Sequence, residues 1–379
     1  MSFLPNEALL LGRVWNAAEQ GPSVVTVRDG QIVDITSKYA PLVRDICEMA
    51  DPAGYTRQAN GAVLGSVDAI AAAKVGDFGQ THFLAPCDLQ AIKACGVTFA
   101  KSMVERVIEE KAAGDPQKAL EIRRRVADVI GESLRDVKPG SQQAEEVKQA
   151  LIKEDLWSQY LEVGIGPDAE IFSKAQTLSS VGAGAEAGLH PISNWNNPEP
   201  EVVLTVSSKG RIVGATLGND VNLRDVEGRS ALLLSKAKDN NASCSIGPMI
   251  RLFDENFSLD DVRNAELDLL VNGLDGYILH GKSSMSEISR DPVDLVSQAI
   301  GRHHQYPDGF MLFLGTLFAP VEDRDVVGEG FTHKLGDIVT ISSPKFGQLT
   351  NVMQLCTECV EWTFGIRALM ENLSKRKLI

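Results

Sequence analysis

Residues 199–220, EPEVVLTVSSKGRIVGATLGND, constrain the fold more than any other stretch. Val202 to Val206 is a β-branched run, Lys209-Gly210 is a turn, and a second apolar run returns to Asp220. Two such runs around a short glycine turn read as an antiparallel hairpin. Its entry is unusual, because two carboxylates flank a proline. The residue before a proline is driven to extended geometry. A strand repeats every two residues, so Glu199 and Glu201 share a face while Pro200 points away. The missing N–H of Pro200 is tolerated at a strand start or edge. Paired carboxylates repel unless a proton or cation lies between them. They form either a solvated acidic strand entry or a hard oxygen site for Mg²⁺, Mn²⁺ or Ca²⁺. The antiparallel return brings Asp220 back beside them, and a third carboxylate favours the metal. Asp225 is close by, either as a further acid or as the ion-pair partner of Arg224.

Around this hairpin the chain falls into three stretches. Residues 1–80 are expected to form a small α+β N-terminal domain, in which Ser23 to Ile35 is a hairpin through Asp29-Gly30. Residues 81–379 are expected to form the larger domain, with a helical insertion at about 101–157. There apolar residues recur at three-to-four spacing, and Ser141 is placed to cap a helix. After residue 160 short strands dominate. Ala265 to Val271 and Tyr277 to His280 flank a turn at Asp275-Gly276, Gly309 to Pro320 is a buried strand, and Gly336 to Met353 alternates like a strand pair. Many short strands with hairpin turns and few helices between them predict a mixed α+β fold with a rolled or sandwiched β core, not a doubly wound sheet.

Composition excludes several classes. The 379 residues carry 37 Lys+Arg against 51 Asp+Glu, a net charge of −14, which argues against nucleic acid as the main partner. No run approaches the roughly 18 apolar residues of a membrane span, and the N-terminus lacks a basic segment followed by an apolar one. The scattered cysteines fit reduced thiols of the cytoplasm, and the lone Cys356-x-x-Cys359 reads as packing. VGAGAEAG (Val181 to Gly188) has the wrong spacing for a dinucleotide loop, and neither a Walker A motif nor a G-x-S-x-G elbow is present. Lys238, among small polar residues, is either a charge-tuned active-site group or a surface lysine.

The ordered blocks NNPEPEVVL, ATLGNDVNLRD, SKAKDNNASCSIGP, FLGTLFAP and THKLGDIVTIS resemble the fumarylacetoacetate hydrolase superfamily, from about Leu84 to Val352. WSQYLEVGIGPDAEIFSKAQTLSSVG, GRSALLLSKAKDNNASC and SSMSEISRDP are more narrowly similar to its bacterial 2-keto-3-deoxy-pentonate dehydratases. The resemblance implies a mixed β-roll and Mg²⁺ or Mn²⁺ held by Glu199, Glu201 and Asp220. It implies that Lys238 is the active-site lysine, that Lys174 matches a substrate-binding lysine, and that Gly315 and Thr316 face the substrate carboxylate. It also implies a homodimer or homotetramer. Hydrolases of the family carry G-x-N-Y-x-x-H-x-x-E, whose His and Glu activate water. Here the block is GVTFAKSMVE, with Glu105 on the glutamate and Ser102 where histidine would stand. A dehydratase needs no activated water, only a base and an acid, for which Lys238, Glu105 and Ser102 are the candidates. The substitution therefore favours a lyase acting on a 2-keto-3-deoxy sugar acid over a hydrolase splitting a 2,4-diketo acid.

Overall fold

The computed structural model describes residues 2–99, 103, 107, 121–122, 124–125, 137–316, 322–325 and 330–379. With strands numbered along the chain, the opening hairpin is β9 (Pro200–Val206) and β10 (Ile212–Asp220), with Gly218 opposite Glu201 and Asn219 opposite Pro200. Gly210 turns the chain at φ +74°, a conformation glycine reaches without strain. β9 lies inside an eleven-stranded sheet, between β10 and β14 (Phe310–Phe313). Beyond β14 come β6 (Ala91–Gly96), parallel to it, and β7 (Glu170–Ala175). On the other side β10 pairs with β11 (Cys244–Leu252). Every residue of β9, β11 and β14 is buried, as expected of strands covered on both faces.

The sheet does not stop at β11. β1 (Leu10–Asn16) pairs with it, followed by β2 (Gly21–Arg28), β3 (Gln31–Asp34) and β4 (Ala62–Ser66), while β5 (His82–Leu84) branches from β1. The strands of residues 1–80 are thus joined edge to edge with the hairpin's own sheet. Asp29 and Gly30 both take positive φ, as a two-residue turn between β2 and β3 requires.

A second sheet runs β13 (Ile278–Ser284), β12 (Glu266–Asn272), β15 (Ile338–Ser343), β16 (Gly347–Leu355) and β8 (Glu186–Leu189). Leu267, Leu269, Val271, Val339, Ile341 and Leu349 face inward and share one core with Val202, Leu204, Ala215 and Leu217 of the first sheet. Each such side chain is worth about 1.5–3 kcal/mol on burial, so this core clamps the hairpin in place. The result is the α+β roll expected from the sequence. Ser141 caps the helix Gln142–Lys153, its hydroxyl accepting the Ala144 N–H at 3.2 Å. Much of the expected helical insertion, including Ser102 and Glu105, lies outside the described residues. The next helix, Gln159–Ile165, is pinned by the buried Arg290, which donates to the carbonyls of Val163, Gly166 and Asp168. A cation on the C-terminal carbonyls of a helix is favourable.

Candidate metal centre

Glu199, Glu201 and Asp220 come together as the hairpin register demands, with one oxygen from each within 4.8 Å of the others. All are buried. The Asp220 N–H donates to the Glu199 carbonyl at 3.1 Å, which locks the two strand ends side by side. Burial of three carboxylates is costly without compensating charge, and two lysines supply part of it. Lys238 Nζ donates to Glu199 Oε2 at 2.5 Å and Asp220 Oδ2 at 3.1 Å. Lys174 Nζ pairs with Asp220 Oδ1 at 2.8 Å.

Three carboxylates face two ammonium groups, and Glu201 is the one that neither lysine pairs with. Burial, followed by repulsion from Asp220 and Glu199, pushes its carboxyl well above the usual range, although the Gly315 N–H donates to it at 2.6 Å. Asp220 goes the other way. Burial would raise it, but Lys174 and then Lys238 hold it below the ordinary carboxylate range. Burial would also lower Lys238, yet Asp220, Glu199 and Glu227 keep it above the usual lysine range. An unbalanced set of hard, buried oxygens fits a divalent Mg²⁺ or Mn²⁺, which would supply the missing positive charge.

Gly315 and Thr316 close one side. Gly315 takes φ +90°, and a Cβ there would stand 2.1 Å from Thr98 Oγ1. Thr98 in turn donates to the Leu314 carbonyl at 2.5 Å, and Thr316 donates to the Pro200 carbonyl at 3.1 Å. The turn is therefore fixed against the first residue of β9. The pocket over these groups is lined further by Gly96, Tyr160, Glu170, Phe172, Glu227 and Lys238.

Lys174, which the resemblance matches to a substrate-binding lysine, pairs with Asp220. It is fully buried behind Asp220, and its ammonium also serves the carbonyls of Val221 and Lys238. With its donors engaged on these groups it holds Asp220 and the Lys238 carbonyl in place. Asp225 lies outside the set of three clustered carboxylates. It accepts from Ser193 Oγ at 2.7 Å and the Asn194 N–H at 2.8 Å, while Arg224 stacks over Trp195. Cys356 and Cys359 are free thiols in the turn after β16, and burial pushes the Cys359 thiol up to about 12.

Glu170, Phe172 and Glu227 were missed. The signal for the first two was present: on a strand, Glu170, Phe172 and Lys174 fall on one face. Gly96 opposite makes room, since a Cβ there would meet Glu170 Oε2 at 2.0 Å. Glu227 closes the short helix Arg224–Glu227, directly after β10, and no spacing rule reaches it.

Residues 197–354 match the model of the fumarylacetoacetate (FAA) hydrolase C-terminal family. The chain thus contains a fumarylacetoacetate hydrolase superfamily domain, and that domain carries the three carboxylates. Over a longer span it is similar to the probable 2-keto-3-deoxyxylonate dehydratase of Haloferax volcanii, 28% identical over 331 residues, 86% of this chain and 92% of that protein. It is also similar to the 2-dehydro-3-deoxy-D-arabinonate dehydratase of Saccharolobus solfataricus, 30% identical over 182 residues, 48% of this chain and 57% of that protein. Among solved structures, 2-keto-3-deoxy-D-arabinonate dehydratase complexed with magnesium and 2,5-dioxopentanoate shares the fold with a TM-score of 0.62 at 20% identity, covering 91% of this chain and 98% of that one.

Proposed function

We propose that this chain is a Mg²⁺- or Mn²⁺-dependent hydro-lyase that converts a 2-keto-3-deoxy-pentonate, of the xylonate or arabinonate series, to 2-oxoglutarate semialdehyde. The observation that carries the reading is the buried set of Glu199, Glu201 and Asp220, one charge short of balance beneath a pocket that also holds Lys238 and Glu170. The dehydratase names of the two relatives and the magnesium and 2,5-dioxopentanoate of the fold neighbour support it. A metal held by the three carboxylates would draw electrons from the 2-keto oxygen and acidify the neighbouring C–H.

The chain's own groups then divide the work. The Gly315–Thr316 turn receives the substrate carboxylate. A carboxylate, Glu170 or Glu105, takes a proton from C3. Lys238, held as ammonium between Glu199 and Asp220, gives a proton to the departing C4 hydroxyl, with Ser102 as a second donor through water. Water leaves and a C3–C4 double bond forms. A proton lost from C5 and one gained at C3 shift that bond, giving an enol that tautomerises to the C5 aldehyde. Lys174 enters only by holding Asp220 and Lys238.

The test is to incubate purified protein and Mg²⁺ with a 2-keto-3-deoxy-pentonate and, separately, with 2,4-dioxopentanoate. Semialdehyde from the first, abolished by EDTA, is expected. Pyruvate from the second alone would replace the reading with the hydrolase. A cytoplasmic homodimer or homotetramer is part of the proposal. Among the described residues no helix is long and apolar enough to cross a membrane. Ile278, Ile338 and Val352 are exposed on one row of the second sheet, suited to a second copy. Light scattering reads the mass.

A further inference from the structure

Glu227 lines the pocket and lies outside the set of Glu199, Glu201 and Asp220. Its placement comes from Asn222, two residues past Asp220. Asn222 is fully buried and tied by two backbone hydrogen bonds to Asn197, each 3.0 Å, beside the strand entry. From there a single amide nitrogen, Asn222 Nδ2, donates to Glu199 Oε1 at 3.1 Å and to Glu227 Oε2 at 2.6 Å. Glu227 is thus held one amide away from the metal-binding carboxylates, on the side of Glu199, and close enough to Lys238 to raise its proton affinity.

A carboxylate in that place repels the anionic end of a 2-keto acid, which goes to the Gly315–Thr316 side. What it can accept is the proton of a neutral hydroxyl. We propose that Glu227 is a specificity-determining residue that binds the hydroxylated end of the substrate, and that Asn222 is its positioning residue. This selects polyhydroxylated 2-keto acids over those with a bare alkyl end and sets which end of the molecule lies over the lysine. The inference rests on the dehydratase reading above.

A hydrogen bond to a charged acceptor is worth about 10- to 100-fold in discrimination against a substrate lacking the donor. The experiment follows consumption of a 2-keto-3-deoxy-pentonate and of its 5-deoxy analogue, 4-hydroxy-2-oxopentanoate, by proton NMR. The readout is the ratio of their kcat/KM values. The wild type should favour the pentonate by about 10- to 100-fold, mainly through KM. In Glu227→Ala the ratio should fall towards one. Glu227→Gln, which keeps the shape but not the charge, should lie between and serves if the alanine variant does not fold. Asn222→Ala should also lose the preference. A wild type indifferent to the 5-hydroxyl, or a Glu227→Ala variant that loses both activities in proportion, overturns the inference. An Asn222→Ala variant that keeps the full ratio removes its positioning role. Consumption of neither compound by the wild type overturns the dehydratase reading and this inference with it, whereas dehydration of both at equal rates spares the reading and overturns only the inference.

Discussion

Two buried clusters of charge flank the segment Asn194 to Glu199, and they are built on opposite terms. At one end stand the three carboxylates with Lys174 and Lys238. At the other, Arg324 binds Asp337 through two nitrogens at 2.5 and 2.7 Å, reaches Asp275 at 3.1 Å, and stacks over Tyr277. His333 completes that cluster, its Nδ1 3.2 Å from Asp337, and its N–H joins it to the segment through Asn196 Oδ1 at 3.3 Å. In the second cluster each charge has a fixed partner: Arg324 balances Asp337, and Lys334 Nζ, 2.9 Å from Asp275 Oδ2, balances Asp275. Burial would raise Asp337, yet Arg324 and His333 hold its carboxyl down at about 2. In the first cluster Glu201 is driven the other way by burial and by repulsion from Asp220 and Glu199. A buried cluster whose charges cancel anchors structure, and one left with an excess is built to take a ligand.

The sharpest way to break this contrast is to remove one carboxylate from each. Glu201→Gln should reduce activity to background, because a metal ligand is lost. In EDTA, however, its unfolding free energy should equal or exceed that of the wild type, since a repelled buried carboxylate has been neutralised. Urea denaturation with and without Mg²⁺ separates the two effects, and a clear loss of stability without metal would show that Glu201 was already balanced. Asp337→Asn should do the reverse. Breaking one side of a buried pair costs about 3–5 kcal/mol, so stability should fall by that amount with metal present or absent. A loss below about 1 kcal/mol, the scale of an exposed pair, would mean that the Arg324 cluster is not the anchor described.

The first cluster was far more legible in the sequence than the second. Period two and the antiparallel return brought Glu199, Glu201 and Asp220 together from local rules alone. The roll of short strands was equally visible in the turn signals. Lys174 entered only through the family resemblance, which does not show that its ammonium is fully buried against Asp220. The joining of β1 to β11 depends on a pairing across more than two hundred residues, which no local pattern encodes. His333 and Asp337 stand in the block THKLGDIVTIS, but nothing in its spacing pairs them with Arg324, and tertiary packing alone brings Asp275 to them. Glu227 needed the amide of Asn222 to become part of the site.

Lys174 gives a smaller and more discriminating test. Lys174→Met keeps the length of the side chain and removes the ammonium that holds Asp220, Val221 and the Lys238 carbonyl. Groups that orient metal ligands are typically worth 10- to 100-fold in activity. The loss should fall on kcat, with KM changing little, if Lys174 lies behind the site. A rise in KM with kcat preserved would restore it to the substrate.

The smallest effect concerns His333. Burial lowers its pKa, more than the pull of Asp337 raises it. The folded protein therefore keeps the imidazole neutral at pH values where the unfolded chain, with a pKa of about 6.5, already binds a proton. Its contribution to stability is complete above about pH 6.5 and is lost as the pH falls towards the folded-state value. The slope is at most about 1.4 kcal/mol per pH unit. His333→Gln has no such proton to bind, so between pH 7.5 and 5.5 it should lose less stability in urea than the wild type does. The carboxylates that titrate below this window are common to both proteins, which leaves the difference to the imidazole. Equal losses would mean that the ring takes up its proton without disturbing Arg324, and the cluster would then have room for one more charge, as the metal centre does.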